Sequence, residues 1–183
     1  MEEIEPQAVA LRTWDPLLIP GLLQTEDYAR AVFQGHFNMN AEDVERQVNA
    51  RMQRAMILGK EDPPTVWVLI DEHVLNRPIG GAHVMREQIE HLITVATTMR
   101  HVTIQVVPYD TPCTDGLLSG FVIAELANSP TTVSVESASV GEVSADRETV
   151  SMILKRYDRI RAEAHRSGET LTKLKEAVAR WTK

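Results

Sequence analysis

The chain has 183 residues with 43% hydrophobic content, which fits a globular protein with a sizeable core and excludes a disordered one. It carries 19 Lys and Arg against 26 Asp and Glu, which gives a formal net charge of −7. This acidic balance argues against direct nucleic-acid binding, because proteins that bind nucleic acids usually neutralise phosphates with a surplus of basic residues.

The sequence also indicates the cellular compartment. No apolar run approaches the roughly 20 residues that cross a bilayer, and the acidic start differs from the basic end of a signal peptide. The single cysteine, Cys113, has no partner for an internal disulfide. We therefore expect a cytoplasmic protein without membrane contact.

Two helices are predicted in the first third of the chain, after an extended lead. Residues 1–24 are expected to be a linker and lead segment, and residues 25–183 a single domain. Thr25 is a favourable N-cap for the first helix, which ends at Gly35. The second helix begins at Asn40 and carries its own apolar stripe.

The middle of the chain predicts a sheet. Residues 66–70 are apolar and β-branched, as in a buried strand, and a helix follows the glycine pair 80–81. Residues 103–107 predict a second strand, so the strand–helix–strand order indicates a parallel pair with a right-handed crossover. Residues 120–126 and 132–136 predict two more strands, which short connections make antiparallel neighbours.

Two helices end the chain, one with an apolar stripe from residue 150 to 164 and one capped by Ser167. The fold class is therefore α/β, with a small mixed sheet of about four strands and helices before, across and after it.

Two apolar segments need a covering surface. The lead segment at residues 14–25 is aliphatic but broken by Pro and Gly, so it must pack on the domain's own core or on a second chain. The last helix ends close to residue 183 and frays unless its stripe is docked. We expect a homodimer, or an interface open to a partner protein, that involves Leu22, Leu23, Leu174, Val178 and Trp181.

The sequence contains no enzyme signature. A nucleophile elbow and the usual zinc and phosphate motifs are missing, and Cys113 is interpreted as an incidental loop thiol. His83, Glu87 and His91 share one helix face at metal-ligand spacing, but that face lies opposite the apolar stripe and is interpreted as solvated. The glycines at 80–81 could cradle an anion, although a turn is the simpler interpretation. We predict no catalytic residue, metal or cofactor.

A polar pattern stands out on the second predicted helix. Arg51 falls inside the apolar stripe, with Arg54 one turn further on. A buried guanidinium needs a carboxylate, because burying it alone costs several kcal/mol. Glu72 and Glu136, each at the end of a predicted strand, are the expected partners. The group is either an internal ion pair or the polar wall of a binding cleft.

Residues 20–31 have the sequence PGLLQTEDYARA, which resembles the PGLLQT-x-x-YARA signature of a large actinobacterial family. Its members are antitoxin-like, xenobiotic-response-element-type helix-turn-helix regulators, and the signature lies in their C-terminal domain. The resemblance continues in order through R-x-x-R at 51–54, E-x-x-L at 72–75, GGxxVMxxQ at 80–88 and strand motifs at 106–109, 120–121 and 133–136.

The resemblance implies regulation through this domain, together with a small acidic partner protein or a small-molecule effector, and it carries over no catalytic residue. The family's N-terminal helix-turn-helix is missing here, which leaves either a trimmed C-terminal domain or a stand-alone version. The residues expected to bind the ligand or partner are Gln24, Tyr28, Arg51, Arg54, Glu72, Gln88, Phe121 and Glu136.

Two functions of different classes follow from these observations. The leading hypothesis is an effector- or partner-binding and oligomerisation domain of a transcriptional regulator, which modulates a DNA-binding domain that this sequence lacks. The alternative is a stand-alone enzyme of a biosynthetic pathway that binds a small metabolite on the same fold.

Overall fold

The computed structural model describes residues 4–136 and 141–182, which form five α-helices and one six-stranded mixed sheet. The strands are β1 (Ala8–Asp15), β2 (Thr65–Asp71), β3 (Val102–Val107), β4 (Phe121–Leu126), β5 (Ser129–Val135) and β6 (Glu142–Ser144). The helices are α1 (Glu26–Gln34), α2 (Ala41–Ala55), α3 (Gly81–Thr98), α4 (Arg147–Glu163) and α5 (Ser167–Trp181).

The strand order across the sheet is β3-β2-β1-β4-β5-β6. The first three strands are parallel, and β4, β5 and β6 are antiparallel to their neighbours. The predicted α/β class, the parallel pair β2–β3 and the antiparallel pair β4–β5 are confirmed. The sheet is larger than expected, because β1 and β6 were not predicted.

The lead segment is part of the domain instead of a linker. Within residues 1–24, β1 forms the centre of the sheet and pairs in parallel with β2 and antiparallel with β4. Ile19 and Leu23, beyond the strand, are at most 1% exposed and belong to the domain's own core. These burials resolve the choice between core and second chain for most of the segment, although Leu17 remains 61% exposed.

The helix starts follow the capping residues in the sequence. The Thr25 side chain accepts a hydrogen bond from the backbone of Tyr28, and Asn40 forms a reciprocal capping box with Asp43. The start of α5 differs slightly, because Arg166 is its N-cap and Ser167 is its first residue.

The sheet separates two apolar cores. Alternate side chains of β2, such as Val66, Val68 and Ile70, pack with α3 and α5 on one face. On the other face, Trp14 and Phe121 pack beneath α4. A polar side chain on β1 therefore points into one of two interiors, depending only on its position along the strand.

The connection between β3 and β4 runs along the carboxyl ends of the parallel strands, because β4 lies on the far side of β1. The Trp14 indole Nε1 donates to the Gly116 carbonyl oxygen at 2.8 Å, which ties this connection to β1. A Cβ added at Gly116 would lie 2.6 Å from the Trp14 ring, so only glycine allows this approach.

Candidate functional site

The buried glutamine of α3 holds the signature segment in place. Gln88 is fully buried, its Oε1 accepts from the Thr25 backbone N–H at 2.7 Å, and its Nε2 donates to the Leu23 carbonyl at 2.7 Å. Both ends of the amide are therefore used inside the fold. Gln88 thus links the start of α1 to α3 through hydrogen bonds from both ends of its amide.

Two further signature residues fold the segment onto itself. The Tyr28 hydroxyl accepts from the Ile19 backbone N–H at 3.2 Å, and the Gln24 Nε2 donates to the Ile19 carbonyl at 2.7 Å. Tyr28 is fully buried, and burial raises the pKa of its hydroxyl. The signature thus specifies a folded turn, with the Gln24 Oε1 directed toward α2.

Arg51 of α2 donates a hydrogen bond to that oxygen. Its Nη1 donates to Gln24 Oε1 at 2.8 Å, and its guanidinium carbon lies 5.0 Å from the centroid of the Phe33 ring. The side chain also crosses Gly21, where an added Cβ would lie 2.9 Å from Nη1. Arg51 is half-buried, as its place in the apolar stripe predicted.

Arg54, one turn further, has a different partner from the predicted ones. Its Nε and Nη2 donate to the two carboxylate oxygens of Glu5 at 3.1 and 2.9 Å, and Glu5 is only 3% exposed. Within the described residues, neither arginine forms an ion pair with Glu72 or Glu136. The Glu72 carboxylate instead lies 3.5 Å from Lys173 of α5, so the predicted pairing was wrong.

The carboxyl group of Asp15 is the unusual polar group of this region. It lies at the carboxyl end of β1, on the same face as Leu11 and Thr13 because side chains alternate along a strand. The residue as a whole is half-buried, but its Oδ2 is sealed from solvent. Neither this oxygen nor the sealed hydroxyl of Thr13 has a hydrogen-bond partner within the described residues.

Burial and charge together keep Asp15 protonated near neutral pH. Burial, followed by the neighbouring carboxylate of Glu136, raises the pKa of Asp15 to about 8. The nearby Thr13 hydroxyl and Arg51 guanidinium lower the pKa of Asp15, but by less than burial raises it. The Thr13 hydroxyl lies near the carboxyl group without the geometry of a hydrogen bond. A neutral carboxylic acid can both donate and accept a hydrogen bond.

Glu136 lies beside Asp15 at the same edge of the sheet. Its backbone N–H donates to the Gly120 carbonyl at 3.0 Å, and a Cβ added at Gly120 would lie 3.1 Å from Glu136 Oε2 and from the Trp14 carbonyl oxygen. Asp15, Arg51 and Glu136 thus gather where parallel strands end, the edge at which open α/β sheets bind ligands. Together they place an acid proton, a cation and an anion close to one another at this edge.

The remaining predicted residues lie elsewhere or are used internally. Phe121 is 1% exposed and packs beneath α4, on the opposite face of the sheet from Asp15. Glu72 lies against α5. Of the predicted set, Arg51 and Glu136 reach the Asp15 region, and Gln24 supports Arg51. Among the described residues, no three His, Cys, Asp or Glu side chains lie together as a metal site would require.

Sequence reasoning missed Asp15, Thr13 and Glu5. A signal for the first two was present, because residues 8–14 contain the β-branched Val9 and Thr13 and the aromatic Trp14, side chains of the kind found in strands. A strand prediction there would have placed a carboxyl group at its end. No sequence signal pointed to Glu5, since its contact with Arg54 spans 49 residues.

The residues predicted for a dimer interface are mostly covered by their own chain. Leu22, Leu23 and Leu174 are at most 7% exposed, so a second copy docked on this structure would not reach them. Val178 and Trp181 are half-buried, and the Trp181 Nε1 donates to the Leu75 carbonyl at 2.9 Å. Only these two keep surface for the predicted interface.

The chain matches a known family model. A sequence model described as "Domain of unknown function (DUF5753)" matches residues 1–176. Comparison with curated proteins and with solved structures found no match. In residues 4–136 and 141–182, no helix is both long and apolar enough to cross a membrane.

Proposed function

This chain belongs to the DUF5753 family, and we propose that it is the effector- or partner-binding and oligomerisation domain of a transcriptional regulator. In this proposal the protein is cytoplasmic, forms a homodimer and biases a DNA-binding domain between active and inactive states. The resemblance of residues 20–31 to the antitoxin-like helix-turn-helix regulators supports the proposal, as does the acidic charge, which is unsuited to direct DNA binding.

The observation that carries the proposal is the buried Asp15 oxygen without a partner. An unsatisfied buried polar group costs about 1–3 kcal/mol, so a ligand or partner group that bonds to it recovers that free energy only on binding. Arg51 and Glu136 beside it supply opposite charges that orient the bound group. Such a gain, if confined to one conformational state, shifts the population toward that state.

The first test measures oligomerisation inside a cell. The chain is fused behind a DNA-binding domain that occupies its operator only as a dimer, and repression of a reporter is compared with that by the DNA-binding domain alone. We expect several-fold stronger repression from the fusion. Equal repression would contradict the oligomerisation part of the proposal.

The second test looks for the bound signal. Native mass spectrometry of the purified chain should show an added mass, from a bound small molecule, that is lost in Asp15→Asn. Asp62→Asn, at an exposed position, is the matched control and should retain the added mass. An added mass that survives Asp15→Asn would show that binding occurs elsewhere.

The raised pKa of Asp15 also supports an enzyme as the second candidate. A carboxyl group with a pKa of about 8 can act as a general acid near neutral pH, with Glu136 as the adjacent base. The two functions are separated by the fate of the bound molecule. Incubation with the protein should return it unchanged if the domain is a regulator, whereas conversion to a new mass would favour the enzyme.

A further inference from the structure

A basic stripe runs along the exposed face of α4, away from the Asp15 region. One row of residues spaced four apart shares a helix face over roughly 18 Å, namely Arg147, Ser151, Lys155 and Arg159. With the adjacent row, Glu148, Met152 and Arg156, these residues line a groove of about 650 Å³ that is open to solvent along one side. The lining residues are Asp115, Arg147, Glu148, Ser151, Met152, Lys155, Arg156 and Arg159.

The positive charge of this groove is only partly balanced. Arg159 pairs with Asp115 at 2.8 Å, whereas Arg147, Lys155 and Arg156 form no ion pair within the described residues. This concentration of unpaired cations contrasts with the net charge of −7 of the whole chain. The groove therefore attracts anionic groups that the rest of the surface repels.

A mainly apolar cavity of about 300 Å³, as widely open to solvent as the groove, continues the groove toward the sheet. It shares Arg147 and Ser151 with the basic groove, so the two form one surface. Its other lining residues come from the start of β5, the end of β6 and the inner side of α4, namely Pro130, Thr131, Ala145, Val150 and Leu154. Met152, 53% exposed, adds an apolar side chain within the basic part.

We propose that this joined surface, the α4 groove, binds an acidic amphipathic polypeptide segment of a partner protein. Carboxylates of the segment face Arg147, Lys155 and Arg156, and its apolar side chains enter the cavity beside Leu154. The open side and the length of the stripe suit an extended polymer better than a small molecule, which is usually enclosed on most sides.

The apolar half of the surface distinguishes a polypeptide from a nucleic acid. A phosphate backbone would neutralise the cations but leave the cavity lined by Val150 and Leu154 unfilled, and the net charge opposes it. The groove lies on the α4 face of the sheet, and the Asp15 side chain lies on the other. Binding here is thus separable from binding at Asp15.

The test uses defined probes with the full chain. A fluorescent peptide of about twelve residues, with Glu and Leu in amphipathic order, is titrated by fluorescence anisotropy at low and at high ionic strength. Poly-glutamate of the same length and a short DNA duplex are compared with it. We expect the amphipathic peptide to bind most tightly and to weaken as salt rises.

Three variants locate the binding surface. Lys155→Glu combined with Arg156→Glu should weaken the peptide about ten-fold, and Ala145→Glu, which adds charge to the exposed rim of the cavity, should also weaken it. The matched control, Lys175→Glu combined with Arg180→Glu on exposed α5, should bind as the unmodified chain does. Circular dichroism checks that each variant is folded.

Other outcomes overturn the proposal. Equal binding of poly-glutamate and the amphipathic peptide would indicate charge attraction without use of the cavity. Tighter binding of DNA, lost in the Lys155/Arg156 variant, would assign the groove to nucleic acid. If no probe binds, or if the α5 control loses as much affinity as the Lys155/Arg156 variant, the α4 groove is not a binding site for such a segment. None of these outcomes bears on the added mass that Asp15→Asn is expected to abolish.

Discussion

Glu5 and Asp15 are two buried acidic groups near the arginines of α2, and they differ in what balances them. Glu5 is 3% exposed and receives two hydrogen bonds from Arg54. Asp15 has a sealed oxygen without a partner, and burial raises its pKa to about 8. The first arrangement stabilises the fold as it stands, whereas the second leaves capacity for an added group. Burial of an acid is therefore informative about function only together with its partners.

Removal of the partner from the balanced group should have the largest effect. Arg54→Ala should lower the free energy of unfolding by about 3 kcal/mol, because it strips the buried Glu5 carboxylate of its bidentate partner. Urea unfolding measures the loss. Arg46→Ala, on the same helix with an exposed pair to Asp43, should cost less than about 0.5 kcal/mol. A similarly small loss for Arg54→Ala would show that Arg54 does not stabilise Glu5, and the contrast between Glu5 and Asp15 would fail.

The free energy of unfolding should depend on pH through Asp15, the buried acid without a partner. An acid whose pKa is about 8 when folded and 3.8 otherwise binds more protons in the folded state, so it stabilises below the lower value and loses that contribution as pH rises toward 8. Between about pH 5 and pH 7, the free energy of unfolding should fall by about 3 kcal/mol relative to Asp15→Asn, because each pH unit in this range costs about 1.4 kcal/mol.

Chemical unfolding at several pH values measures this difference. Asp62→Asn, at an exposed position, controls for the change from carboxyl to amide. Parallel pH curves for the unmodified chain and Asp15→Asn would mean that Asp15 is ionised in the fold. The contrast with Glu5 would then fail.

Arg51 is half-buried and donates to the neutral amide of Gln24, so we expect its removal to change the free energy of unfolding least. Arg51→Ala loses the hydrogen bond to Gln24 and the contact with Phe33, which together contribute about 1 kcal/mol. It should also raise the pKa of Asp15 further, because the guanidinium lowers it. The same pH series measures the upward shift. A loss of about 3 kcal/mol would instead match the buried ion pair that the stripe of α2 predicted.

Several local elements could be predicted because their causes are local. Thr25 and Asn40 cap α1 and α2 through hydrogen bonds to residues three positions away. The parallel pair of β2 and β3 followed from two apolar runs joined by a helix of suitable length. The half-burial of Arg51 followed from helical periodicity alone.

The candidate site could be predicted only in part. Arg51 and Glu136 were expected there and lie beside Asp15, but Gln24, Tyr28 and Gln88 have their polar groups bonded within the fold. Their signature pattern is specific, yet it specifies a turn. A motif identifies which residues matter without showing whether they serve folding or binding.

The sequence by itself determined the class of fold, the helix starts and the acidic character that disfavours nucleic acid, since these depend on composition and on neighbours within a few positions. Only the tertiary structure decided that residues 8–15 form the central strand, that Glu5 pairs with Arg54, and that Asp15 is sealed without a partner. Each of these depends on surfaces brought together from distant parts of the chain. A carboxyl group's charge and partners are set by those surfaces, because burial and neighbouring charges shift its pKa.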